Sequence, residues 1–162
     1  MGHIFISFSH KDAEYAHALA GSLQSMSFTA WIDTRLDYGS QWPHEIQKHL
    51  DSCDAFILIM TPDSFASEWV QSELQRAKRK EKPVFPLLLE GDESWLSVES
   101  TQYYDVRSRR LPDDEFYADL KRAVSAKQTA QTNSQIQGSA KKTEPAKNIQ
   151  PRIKAMGTFA AV

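Results

Sequence analysis

Short apolar runs alternate with stretches whose apolar residues recur every three or four positions, and this alternation fills the first 125 residues. Apolar runs at residues 3–8, 28–32, 55–60 and 83–89 predict strands, with a weaker fifth at 102–106. Helical spacing predicts helices over residues 12–26, 43–50, 66–80 and 113–124. In the first, Ala13, Ala16, Leu19, Ala20 and Leu23 share one side. Residues 55–60 are apolar throughout, as expected of a strand covered on both faces. Pro83 and Pro86 predict that the fourth strand lies near a sheet edge. Between the second strand and second helix runs a polar loop, residues 33–42, where Gly39 can take positive φ. Pro43 suits a first helical turn, and the acidic start of the last helix suits its dipole. Strand–helix alternation of this kind implies an α/β fold, an open parallel sheet flanked by helices.

The pattern stops near Ser125. From there Ser, Thr, Gln, Asn, Ala, Lys and Pro dominate, with no periodic apolar face, so residues 1–125 read as the domain and 126–162 as a polar, basic linker or disordered tail. Charge divides the same way. The first 125 residues hold 13 Lys/Arg against 20 Asp/Glu, whereas the remainder holds six against Glu144 alone. An acidic body argues against nucleic-acid binding by the folded part. A single cysteine, Cys53, excludes a disulfide framework and a zinc knuckle; beside an apolar strand it reads as inert packing. No apolar stretch approaches the roughly 18 residues of a membrane span. No signal-peptide pattern opens the chain, and Ile6 breaks the myristoylation pattern after Gly2. The expectation is a cytoplasmic protein without a membrane span, its tail either free or tethering a further domain.

Five blocks, in order, carry a family resemblance. They are Phe5-Ile6-Ser7-Phe8-Ser9-His10-Lys11-Asp12; Ala30-Trp31-Ile32-Asp33 followed by Gly39 and Trp42; Cys53-Asp54-Ala55-Phe56-Ile57-Leu58-Ile59-Met60-Thr61-Pro62; Ser67-Glu68-Trp69-Val70-Gln71-Ser72-Glu73-Leu74; and Lys82-Pro83-Val84-Phe85-Pro86-Leu87. Together, over residues 3–124, they resemble TIR (Toll/interleukin-1 receptor) domains of bacterial type. The resemblance implies a flavodoxin-like five-stranded parallel sheet in the order 2-1-3-4-5. It implies two functions. Some TIR domains bind other TIR domains to relay a signal. Others, in bacterial immunity or as effectors, cleave NAD⁺ to nicotinamide and ADP-ribose or a cyclic isomer, active once self-assembled.

In open α/β sheets the ligand crevice lies beyond the carboxyl ends of the strands, where strand order reverses. Residues 7–10, residues 33–42 and the start of the 66–80 helix converge there. On that helix, at about 100° per residue, Glu73 falls about 60° from Val70, at the margin of the apolar stripe, and Trp69 lies beside it one turn earlier. Glu68 points to water. A carboxylate at such a margin costs free energy unless compensated. Spacing alone favours a structural partner, a lysine or backbone N–H. The resemblance reverses that balance, because Glu73 matches the catalytic glutamate of TIR NADases. One carboxylate suits this reaction. Ordinary glycosides need a second to protonate the leaving oxygen, but the cationic nicotinamide of NAD⁺ leaves as a neutral base. The carboxylate then has only to stabilise the oxocarbenium-like ribose and hold its hydroxyls.

Trp42 and Trp69 are candidates to stack on nicotinamide or adenine, or to pack. Asp33 either binds ribose or orders its loop, Gly39 lets that loop move, and Ser7 and Ser9 can donate to ribose or phosphate. His10 reads as a solvated turn residue. With Ser7-Phe8-Ser9 after the first strand, the acidic pair of a phosphoacceptor site is missing, and no Gly-rich phosphate loop is present. The expected partners are NAD⁺, as substrate, and other TIR domains, with no cofactor and no metal.

Overall fold

The computed structural model describes residues 2–32, 42–92 and 95–140; the side chains of residues 42, 43, 128 and 130–140 lie outside the description. Five parallel strands, β1 (Ile4–Ser7), β2 (Ala30–Ile32), β3 (Ala55–Met60), β4 (Val84–Leu88) and β5 (Tyr104–Asp105), lie in the order β2-β1-β3-β4-β5. This is the expected flavodoxin-like arrangement. Alternate strand residues divide the core into two halves. Ile4, Ile6, Ile57, Ile59 and Leu87 face α1 (Ala13–Ser25) and α5 (Asp114–Ala140), meeting Leu19, Leu23, Phe116 and Leu120. Phe5, Phe56, Leu58 and Met60 face α2 (Trp42–Ser52) and α4 (Glu68–Arg79), meeting Leu50, Val70, Leu74 and Ala77. Each such buried Leu, Ile or Phe contributes about 1.5–3 kcal/mol.

Three local features refine the sequence expectation. The helix expected over 66–80 is α4, and a short helix that the spacing does not predict, α3 (Pro62–Ala66), precedes it. Thr61 caps α3, accepting from Ser64 N at 3.1 Å, with Pro62 in the first turn. Ser67 sits between them in extended conformation (ψ 114°) and caps α4 by accepting from Val70 N at 3.4 Å. Second, β4 lies near the sheet edge, as expected, with β5 outside it. Pro83 O and Leu89 N both bond toward β3, whereas Leu88 O bonds Val106 N. By the alternation of the strand, Pro86 therefore turns its missing N–H toward the β5 side, and β5 pairs only from Leu87 onward. No sheet hydrogen bond is lost there. Third, α5 continues past Val124 to Ala140. The Ala and Gln residues of 125–140 favour helix by propensity, a signal that a search for apolar periodicity does not register.

The chain divides into two units, Met1–Thr129 and Ala130–Val162. The first contains the whole sheet and every site discussed below. Of the second, residues 130–140 are helical, and the rest of the expected tail, 141–162, lies outside the described residues. Among the described residues no helix is long and apolar enough to cross a membrane.

Candidate active site

Ser7 ends β1 on the face that holds Phe5, so its side chain turns toward α4. Val70, Leu74 and Ala77 anchor α4 to that same face and leave Glu73 half-buried at the margin. The two meet: Ser7 Oγ donates to Glu73 Oε2 at 2.5 Å. Ser7 is 1% exposed, so the bond forms largely out of water, where a charge-assisted hydrogen bond is strongest. Ser7 thus stands behind the glutamate and is not part of the cavity lining.

In front of Glu73 opens a cavity of about 270 Å³. Ser67, Trp69 and Val70 of α4 form one wall, Ile6 and Ile46 its floor, and Phe8, Ser9, His10 and Lys11 the other wall. Trp69 is 41% exposed and lines the cavity with the glutamate. Glu68, as expected, is exposed. Among the other expected site residues, Ser9 lines the cavity, while Asp33 and Gly39 lie outside the described residues. Trp42 opens α2, but its side chain is likewise outside the description. Cys53 is fully buried at the other end of β3, where burial pushes its thiol up to about 11. That suits packing and not nucleophilic chemistry. Among the described residues no group of three His, Cys, Asp or Glu is placed to hold a metal.

The wall bearing Ser9 and His10 is fixed by residues that sequence reasoning passed over. Asp12, 5% exposed, accepts from Thr61 Oγ1 at 2.8 Å and from Ser64 Oγ at 3.4 Å. Ser64 Oγ in turn accepts from Ser9 N at 3.0 Å. This chain of bonds ties the turn after β1 to the turn after β3. Burial raises the Asp12 carboxyl above its ordinary range, against the opposing pull of the Thr61 hydroxyl. Lys11 and Asp63 close the rim with an exposed ion pair at 2.6 Å. The Thr61-Pro62 cap was the one sequence signal that could have shown where Asp12 finds its partners.

A second cavity, of about 180 Å³, lies between α2 and α4. It shares Ile46, Trp69 and Glu73 with the first and adds Gln47, Arg76 and Arg79.

Comparison with known proteins agrees with this architecture. The family described as TIR domain matches residues 4–124. Among solved structures, the TIR domain of the Toll-related receptor TRR-2 from Hydra magnipapillata superposes with a TM-score of 0.60 at 20% identity, covering 75% of this chain and 97% of that one. The TIR-STING receptor of C. gigas, solved in complex with 2′,3′-cGAMP, gives 0.56 at 22% identity, over 77% of this chain and 40% of that one. The CMP N-glycosidase BcmB of Clostridium botulinum gives 0.50 at 16% identity, over 64% of this chain and 88% of that one. No curated protein matches the chain.

Proposed function

From the premise that this chain belongs to the TIR domain family, we propose that it cleaves the nicotinamide–ribose bond of NAD⁺, releasing nicotinamide and ADP-ribose or a cyclic isomer. The observation that carries the reading is the 2.5 Å bond from buried Ser7 to Glu73 at the edge of a cavity flanked by Trp69. Ser7 holds the carboxylate in one orientation with a donor that costs no reorganisation during reaction. The carboxylate borders the cavity, where it opposes the positive charge that builds on the ribose as the pyridine leaves. Trp69 offers a flat apolar face to the departing ring. Water attacking the anomeric carbon gives ADP-ribose; the adenine or a ribose hydroxyl attacking instead closes a ring. The likeness to an N-glycosidase acting on CMP supports the reading at the level of the fold, since that enzyme too breaks a base–sugar bond.

Incubating concentrated protein with NAD⁺ and following nicotinamide by chromatography tests the proposal. Release by the native chain and its loss in Glu73→Ala are expected. The same absence of product from both, under enforced assembly, overturns it.

A second reading, a module that binds other TIR domains without chemistry, is favoured by the aromatic side chains left open around α3 and α4, Phe65 at 59% and Trp69 at 41% exposed. It expects self-association that survives Glu73→Ala but fails in Gly39→Pro. The two readings are compatible, and either fits a role in bacterial immunity or as an effector.

A further inference from the structure

On α4, Trp69, Ser72, Glu73, Arg76 and Arg79 follow the spacing i, i+3, i+4, i+7, i+10 and so share one face of the helix. All five line the cavity between α2 and α4. Arg76 and Arg79 stand roughly 4.5 and 9 Å beyond Glu73 along the helix axis. Arg76 is held in place: its Nε and Nη2 donate to the two oxygens of Asp51 at 2.7 Å each, which leaves Nη1 available for another acceptor. Asp51 also faces Lys80 at 3.7 Å. One carboxylate therefore answers two cations, and Arg79, exposed at the end of α4, pairs with no carboxylate among the described residues. The cavity is thus negative at its Glu73 end and carries a surplus of positive charge one to two helical turns away.

We propose that this second cavity is a phosphate subsite, with Arg79 its principal ligand and Arg76 a supporting one, so that the substrate is a 5′-phosphorylated nucleoside or dinucleotide in preference to a free nucleoside. The inference rests on NAD⁺ cleavage as the reaction at Glu73. In such a substrate one ribose separates the anomeric carbon from the 5′-phosphate. A sugar centred on Glu73 therefore puts its phosphate about one helical turn along, beside the guanidinium groups. Arg suits the task because its planar fork matches phosphate oxygens and its charge does not titrate. Placing the anion there also keeps it away from the Glu73 carboxylate, which would otherwise repel it.

The test compares NAD⁺ with nicotinamide riboside as substrates, and measures ADP-ribose binding by calorimetry, for the native chain, Arg79→Gln and Arg79→Glu. Arg79 is at the exposed end of α4, so neither change disturbs the core. Arg79→Glu is expected to raise KM for NAD⁺ about tenfold with kcat nearly kept, to weaken ADP-ribose binding equally, and to leave nicotinamide riboside untouched. Arg79→Gln should give a smaller shift in the same direction. Equal changes for both substrates, or none for NAD⁺, overturn the subsite. If the native chain cleaves neither substrate, the reaction proposed above fails while ADP-ribose decides the subsite. Binding that weakens in Arg79→Glu supports it, and binding that is absent or indifferent to Arg79 overturns it.

Discussion

Two carboxylates stand at the carboxyl end of the same sheet, both bonded to serine, and they do opposite things. Asp12 is enclosed: it is 5% exposed, Thr61 and Ser64 supply hydroxyls, and its bonds hold two turns together. Glu73 is half-open, with Ser7 buried behind it and a cavity in front. A carboxylate sealed among donors stabilises structure, and one that borders a cavity is placed where a ligand can meet it. The distinction lies in which side of the group the protein occupies, since residue type and hydrogen-bonding partners are nearly the same.

The largest effect expected from breaking this contrast is at Glu73. Glu73→Gln keeps the shape but removes the charge, so nicotinamide release should fall about 10²–10³-fold while unfolding free energy changes by about 1 kcal/mol or less. Chromatography and chemical denaturation measure the two sides. A similar loss of stability and activity together would erase the distinction.

Asp12→Asn should act the other way round. By disturbing a buried pair of hydroxyl bonds it should cost about 1–3 kcal/mol in denaturant titration, with activity per folded molecule reduced far less. The pH dependence has a definite sign. The Asp12 carboxyl is raised in the folded protein, so its contribution to stability is complete below its ordinary value of 3.8 and is lost as pH rises through the raised value. The deficit of Asp12→Asn should therefore be widest in acid and shrink as pH increases.

Ser7→Ala sharpens the comparison by removing the support behind Glu73. It should reduce kcat about tenfold, about 1.4 kcal/mol, with KM little changed. The smallest effect belongs to Asp51, a carboxylate in neither class. Its Arg76 hydrogen bonds hold it below the ordinary range, so it contributes stability above 3.8 that is lost as pH falls. Both partners are about a quarter to a third exposed, and solvent screening limits Asp51→Asn to under about 1 kcal/mol. Its deficit should close in acid, opposite to that of Asp12.

Most of the fold was legible in the chain because each strand carries its own signal. Residues 55–60 announce a doubly covered strand without help from elsewhere, and β3 has those bounds. The placement of Glu73 at the margin of α4 followed from helical spacing alone. What spacing could not supply was parity across the sheet: that Ser7 shares a face with Phe5 and so reaches Glu73, 66 residues away. Asp12 was opaque for the same reason. At a helix start an aspartate reads as a surface cap, and only Thr61 and Ser64, brought in by a parallel strand, make it an interior group. The short helix α3 was missed because five residues are too few to show a helical period, and the extended Ser67 that separates it from α4 leaves no mark on periodicity.

That break has a bearing on how the chain tolerates change in length. Because Ser67 is extended, α4 sets its own rotational phase, independent of the turn and short helix before it. A residue gained or lost between Thr61 and Ser67 can be absorbed there without altering the direction of Glu73. The same insertion anywhere from Glu68 to Ser72 swings that carboxylate by about 100° about the helix axis, away from Ser7. Natural relatives should accordingly vary in length upstream of the serine and keep the five-residue interval after it.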